Sequence, residues 1–255
     1  MKLKDIDIEL ARKVFSCIDH TTLGGGDNER TVEAFCRRAR ELKLRDGRGV
    51  AAVCVYPRFV GSAVRVLEGS GIGVASVAGA FPHGQLPIGL KVEEVKQAVG
   101  DGVDEVDIVI NRGLMLEGRS DEVREEVAAM KAVCGGSRLK VILETCELPT
   151  EGLIREATRV AIEGGADFVK TSTGKGGGGA TLEAAAAMLE EIASYVKICK
   201  KPIGFKAAGG IREPEEALGY AKMASKVMGE EYINSQTFRI GTSRLTERLH
   251  SLLTF

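Results

Sequence analysis

Asp167-Phe168-Val169-Lys170-Thr171 and Pro202-Ile203-Gly204-Phe205-Lys206-Ala207 are two short apolar runs, separated by a glycine-rich loop and a segment of helical period over 181–199. A strand, a loop, a helix and a second strand of the same kind make a βα unit, and such units build a parallel sheet. Working outward, the pattern recurs. Eight short runs rich in Val and Ile lie at 14–19, 50–56, 73–78, 105–110, 139–144, 167–171, 202–206 and 238–241. Helical segments at 29–44, 120–133, 150–163, 181–199 and 214–228 lie between them. Eight βα repeats in 255 residues predict an α/β fold: a TIM (β/α)8 barrel forming a single domain over 1–255, with a short N-terminal helical extension.

Boundary signals agree with these repeats. Thr150 opens a helix after Pro149, Gly164-Gly165 closes it with the residue type that tolerates a left-handed cap, and Glu213-Pro214-Glu215-Glu216 puts proline and acids in a first turn. The run 176–179 is glycine only and reads as a flexible loop after the sixth strand.

Hydrophobic residues at 44%, charged residues at 28% and a formal net charge of -1 are ordinary globular values. They give no electrostatic reason to expect nucleic acid or an anionic membrane. The start, MKLKDIDIEL, scatters charge where a leader peptide would be apolar, and no run approaches the roughly 20 apolar residues that span a bilayer. The expectation is a cytoplasmic protein. The six cysteines, Cys17, Cys36, Cys54, Cys134, Cys146 and Cys199, show no CxxC or CxH spacing and read as reduced, mostly buried thiols.

Two phosphate motifs fail on inspection. Gly71-Ile72-Gly73 precedes a strand and has Ser76 where a dinucleotide fingerprint needs its third glycine; Thr173-Gly174-Lys175-Gly176 lacks the earlier glycine and the final Ser/Thr of a P-loop. Three histidines, His20, His83 and His250, form no metal-ligand spacing. No metal mechanism is expected.

Charges inside barrel strands are the informative departures from pattern. Lys170 interrupts one apolar run and Lys206 ends the next. On period-two alternation Lys206 shares the lumenal face with Gly204, while Ile203 and Phe205 face the helices. Neighbouring strands lie about 4.8 Å apart, so the two ammonium groups would compete for one partly desolvated space and one should give up its proton readily. The same pattern also fits two rim lysines that snorkel to water. In the fourth run Asp107 shares a face with Val109 and Asn111; in the first, Asp19 and Thr21 share a face with Cys17. Either acid could move protons for a lysine or simply balance its charge. Three glycine clusters, Thr173-Gly174-Lys175, Gly209-Gly210-Ile211-Arg212 and Gly241-Thr242-Ser243-Arg244, offer donors for a phosphate after strands six, seven and eight, although each alone could be a tight turn.

A chain-wide resemblance selects among these readings. Ile18-Asp19-His20-Thr21-Thr22-Leu23, Val53-Cys54-Val55-Tyr56-Pro57-Arg58-Phe59, Phe81-Pro82-His83-Gly84, Asp104-Glu105-Val106-Asp107, Lys170-Thr171-Ser172-Thr173-Gly174-Lys175, Gly204-Phe205-Lys206-Ala207-Ala208-Gly209-Gly210-Ile211-Arg212 and Phe238-Arg239-Ile240-Gly241-Thr242-Ser243 together resemble the deoxyribose-phosphate aldolase family of class I, Schiff-base aldolases. They follow the family's order from the first strand to the eighth. The resemblance implies reversible cleavage of 2-deoxy-D-ribose 5-phosphate to D-glyceraldehyde 3-phosphate and acetaldehyde, without metal or organic cofactor, with the bond between C3 and C4 taken as the one that breaks. It implies Lys170 as the Schiff-base lysine, Lys206 as the second lysine that lowers its pKa, and Asp107 as the acid that transfers protons through water. It further implies substrate contacts from Asp19, Thr21, Cys54, Thr173, Gly174, Lys175, Gly209, Gly210, Gly241 and Ser243, with Cys54 as a packing position and no nucleophile.

Two departures stand out. Many members carry two serines where this chain has Ser243-Arg244, and some end in a tyrosine-bearing tail where this chain ends Leu252-Leu253-Thr254-Phe255. Proton transfer is then expected from lysine, aspartate and water alone. The alternatives are another class I barrel aldolase acting on a ketose phosphate and a non-catalytic barrel that binds a sugar phosphate. The expected partners are small molecules, a sugar phosphate and acetaldehyde, with no nucleic acid and no membrane; a homo-oligomer is left open.

Overall fold

The computed structural model describes residues 7–254; the first six residues of the leader-peptide reading and Phe255 of the tail lie outside the described residues. Eight parallel strands, β1 (Ile18–Thr21), β2 (Ala52–Val55), β3 (Gly73–Ala78), β4 (Glu105–Val109), β5 (Arg138–Ile142), β6 (Phe168–Lys170), β7 (Gly204–Ala208) and β8 (Phe238–Thr242), pair in chain order and close into a barrel. The helices are α1 (Ile8–Phe15), α2 (Glu29–Glu41), α3 (Val60–Leu67), α4 (Ile88–Gly100), α5 (Arg112–Leu116), α6 (Ser120–Ala132), α7 (Glu151–Glu163), α8 (Leu182–Cys199), α9 (Pro214–Met228) and α10 (Leu245–Thr254). The expected TIM barrel, N-terminal helix included, is the fold observed.

Local chemistry sets the helix ends. The Thr150 and Thr181 hydroxyls accept from the N–H of Leu153 and Ala184 at the starts of α7 and α8, satisfying donors with no intrahelical partner. Pro214 begins α9 where the acids were expected. After α7 the left-handed residue is Gly165, with φ +99°.

Several expected runs are cut differently; the second is shortened to Ala52–Val55, and the seventh runs Gly204–Ala208, which puts Lys206 in mid-strand and not at its end. Val14 and Phe15 belong to α1: with Ala11 they form a buried stripe at helical spacing behind the Asp7 cap, so the strand starts only at Ile18. The fifth strand ends at Ile142, and Glu144 leaves it in a left-handed conformation, φ 55°.

The alternation divides the sheet. Val53, Val106, Val141, Val169, Phe205 and Ile240 face the helices and join the main core. The lumen has two unlike sectors. On β2 and β3 it is small and apolar, with Ala52, Cys54, Ala75 and Val77 packed under Leu23. Elsewhere it is charged: Asp19, Glu105, Asp107, Lys140, Lys170, Lys206 and Arg239 are all buried. Such long side chains need space. At Gly241 a Cβ would lie 3.0 Å from Lys206 Cε, so bare backbone on β8 makes room for that lysine, while Gly204 on β7 makes room for the Phe168 ring.

Candidate active site

Asp107 is the hub of the lumen. Its Oδ2 accepts from Lys170 Nζ at 2.8 Å and from Lys206 Nζ at 2.7 Å, and its Oδ1 accepts from Lys140 Nζ at 2.8 Å. Lys170 and Lys206 are direct register partners on β6 and β7, which is the adjacency the sequence suggested. One layer below, Lys140 also pairs with Glu105 at 2.6 Å and reaches Asp19 at 3.4 Å. Arg239 grips Glu105 through Nη1 and Nη2 at 3.0 and 2.6 Å and also binds Asp19. Lys206 closes the ring by donating to Asp19.

Four buried bases therefore share three buried carboxylates, and the partly exposed Arg138 adds a contact to Glu105 from the far rim. Fully ionised, the group carries one uncompensated positive charge, and an isolated charge in an apolar medium is expensive. The lowest-cost remedy is a neutral lysine. Lys170 is the one so placed: burial disfavours its charge, Lys206 repels it, and the single nearby carboxylate of Asp107 does not make up the difference, so its pKa falls below the ordinary 10.5. Lys206 is equally buried but faces both Asp107 and Asp19, which outweigh desolvation and raise its pKa. Lys140, held by three acids, is also pushed up. Asp107 is desolvated, yet its three lysines hold it well below the usual carboxylate range. The Cys54 thiol is pushed up to about 11 by burial and by Asp107, so at neutral pH it is an uncharged packing group.

Above Lys170 opens a cavity of about 250 Å3. Thr21, Thr173, Gly174, Lys175, Gly209, Gly210, Gly241 and Ser243 line it, together with Lys170. Lys170 retains 4% of its surface, whereas Lys206 and Lys140 retain none; of the three lysines on Asp107, only Lys170 lines the cavity. Gly209 has φ +90°, and a Cβ there would sit 3.1 Å from Gly179 and Ser172, so its backbone can pass the ligand space only as glycine. Two of the expected substrate contacts are not at the cavity wall. Asp19 and Cys54 lie in the layer beneath it, because the pleat that lifts Thr21 to the rim sets Asp19 two residues deeper, and Cys54 packs against Ala52, Ala75 and Val77.

Sequence reading missed several participants. Glu105, Lys140 and Arg239 are buried charges that the alternation already offered: Glu105 is two residues before lumenal Asp107, and Arg239 two before Gly241. Arg212 and Arg244, by contrast, close two of the glycine clusters already offered for a phosphate; both line the cavity, and among the described residues neither has a carboxylate within ion-pair distance. Glu144, expected within a strand, is buried beyond its end, where its carboxylate accepts from the Thr173 hydroxyl and backbone N–H and holds the first turn of the loop after β6. Lys175 donates to the Leu23 carbonyl across the mouth. Among the described residues, no three His, Cys, Asp or Glu side chains are grouped to hold a metal ion.

Comparison with known proteins gives one consistent answer. The profile of the DeoC/LacD family of aldolases matches residues 13–237. The chain is 39% identical over 245 residues to human deoxyribose-phosphate aldolase, covering 91% of this chain and 77% of the human one. Among solved structures it resembles an aldolase designated QR15, with a TM-score of 0.77 and 33% identity over 94% of this chain and 96% of that one. It also resembles the tetrameric deoxyribose phosphate aldolase of Aeropyrum pernix, with a TM-score of 0.70 and 26% identity over 96% and 95%.

Proposed function

This chain belongs to the DeoC/LacD family of aldolases, and on that premise we propose that it cleaves 2-deoxy-D-ribose 5-phosphate reversibly to D-glyceraldehyde 3-phosphate and acetaldehyde through a Schiff base on Lys170. The observation that carries the reading is a lysine of lowered pKa opening onto a cavity lined by glycine loops and cations.

The Lys170 amine adds to the C1 aldehyde of the open-chain sugar. Lys206, cationic at neutral pH, protonates the departing hydroxyl so that it leaves as water, and an iminium remains. The iminium draws in the electrons of the breaking bond as the C3 hydroxyl loses its proton. Acetaldehyde keeps two carbons, so that bond is C2–C3; the C3–C4 assignment of the sequence reading fails on carbon count. The enamine is protonated at C2, and water then releases acetaldehyde and returns Lys170 as the amine. Asp107, bound to both lysines, passes protons between them and water, a role of the general acid–base kind. The N–H groups of the loops at Gly174, Gly209, Gly210, Gly241 and Ser243, with Lys175, Arg212 and Arg244, suit the phosphate.

Six free thiols suit a reducing compartment, in keeping with a cytoplasmic site. No described helix is long and apolar enough to cross a membrane. The whole chain is taken as one catalytic barrel, and the tetramer of the Aeropyrum pernix relative makes a homo-oligomer the assembly to test by sedimentation. Incubation with 2-deoxyribose 5-phosphate or acetaldehyde and borohydride, followed by peptide mapping, tests the chemistry. The expected adduct is on Lys170, and its absence would overturn the mechanism; an adduct without turnover would favour a binding protein.

A further inference from the structure

Lys140 is fully buried and does not line the cavity, yet its ammonium binds Asp107 Oδ1 at 2.8 Å and Glu105 Oε2 at 2.6 Å. We propose that Lys140 is a positioning residue for the aldol chemistry: as a fixed cation beneath Asp107, it makes Lys170 the surplus positive charge of a closed cluster and turns Asp107 Oδ2 toward Lys170 and Lys206. The proposal rests on the Schiff-base reading of Lys170.

Geometry gives the reason. A carboxylate has two oxygens, and Lys140 occupies one of them, so the other is left to be shared by Lys170 and Lys206. Without Lys140 the Asp107 carboxylate could rotate and give an oxygen to each remaining lysine, and both would be better held as cations. Charge balance points the same way. Around Lys170 stand Asp107 and Glu105 from β4, Lys206 from β7, Lys140 from β5, Cys54 from β2, Asp19 from β1 and Arg239 from β8, while β3 contributes only Ala75 and Val77. Above it are Lys175, Arg212 and Arg244, and Glu144 is engaged with Thr173. Deleting one interior cation leaves three bases for three acids, and no base need be neutral. Lys140 itself is securely charged, because Asp107, Asp19 and Glu105 outweigh its desolvation.

The test is the pH dependence of borohydride trapping with acetaldehyde in the wild type, Lys140→Met, Lys140→Arg and Glu105→Gln. A charge within about 4–6 Å moves a pKa by about one to three units, and Lys140 acts on Lys170 across Asp107, so the lower part of that range applies. In Lys140→Met the acid limb of Lys170 trapping should therefore rise by about that much, with about 10- to 100-fold slower trapping at pH 7 and recovery in alkali. Lys140→Arg, which keeps the charge, should restore the wild-type limb. Glu105→Gln removes an acid, increases the surplus, and should move the limb to lower pH. A residue that merely fills space would not produce opposite shifts. A Lys140→Met limb coinciding with that of the wild type would overturn the proposal while leaving the Schiff base intact. Should Lys140→Met not fold, a Glu105→Gln limb at or above the wild-type position would overturn it equally. No adduct in the wild type would instead overturn the Schiff-base reading, and the proposal with it.

Discussion

The barrel has an opening at each end, and the larger one is at the wrong end for the chemistry. The cavity at the N-terminal ends of the strands measures about 630 Å3, against about 250 Å3 at the C-terminal ends. The larger is also rich in arginine, but each of those arginines is already engaged: Arg48 with Asp46, Arg138 with Glu105, and Arg239 with Glu105 and Asp19. The smaller is lined by Lys170, Lys175, Arg212 and Arg244 and by no carboxylate. Balanced charge is how a protein closes a surface, and unbalanced charge is how it receives an anion. What separates the two mouths is the excess of cation over acid.

The contrast can be broken most severely at the floor of the smaller mouth. Lys170→Ala should abolish trapping and lower turnover by at least about 10^4-fold, with the fold retained, because it removes the covalent route. Lys206→Leu comes next. It relieves the repulsion that helps lower the Lys170 pKa and removes a proton donor, so trapping at pH 7 should fall about 100-fold. The rate rises with pH as Lys170 loses its proton, and this variant should reach its plateau at a higher pH than the wild type; an unchanged trapping rate at pH 7 would refute the pairing. Arg212→Ala tests the rim. Losing one charge-assisted contact costs about 1.5–3 kcal/mol, so kcat/KM for 2-deoxyribose 5-phosphate should drop about 10- to 100-fold while that for free 2-deoxyribose stays put. Equal losses on both sugars would remove Arg212 from phosphate recognition. Arg48→Ala at the far mouth should be the quiet control: activity within about twofold and stability within about 1 kcal/mol, as expected for an exposed pair, read by assay and thermal melting.

Much of this contrast is legible in the order of residues along the chain. Strand period and spacing point to the barrel; 73–78 and 214–228 coincide with β3 and α9. The run at 14–19 misleads because Val14-Phe15-Ser16-Cys17-Ile18 is apolar at both helical and strand spacing, and only the Asp7 cap and contact with α9 and α10 decide it. The Lys170, Lys206 and Asp107 trio is legible because each lysine is a charge among apolar residues, Asp107 sits inside its strand, and the family resemblance names all three. Lys140, Glu105 and Arg239 are less so. Glu105 and Arg239 sit near the starts of their strands, where a charge normally ends in water, and Lys140 sits in mid-strand between helix-facing Leu139 and Val141; only barrel closure and the register of β4, β5 and β8 bring the three together. Asp19 and Cys54 were placed one layer too high for the same reason: alternation assigns a face but does not fix depth.

Glu144 has a consequence for anyone who would redesign this mouth. The residue lies two positions past the end of β5, yet it holds Thr173 at the start of the loop that follows β6, and that loop reaches across to Leu23 after β1 through Lys175. Adjacent loops here are not interchangeable modules. A loop after β6 transplanted from a relative would arrive without its clamp unless the β5 terminus came with it, so the smallest portable unit is a pair of neighbouring strand ends.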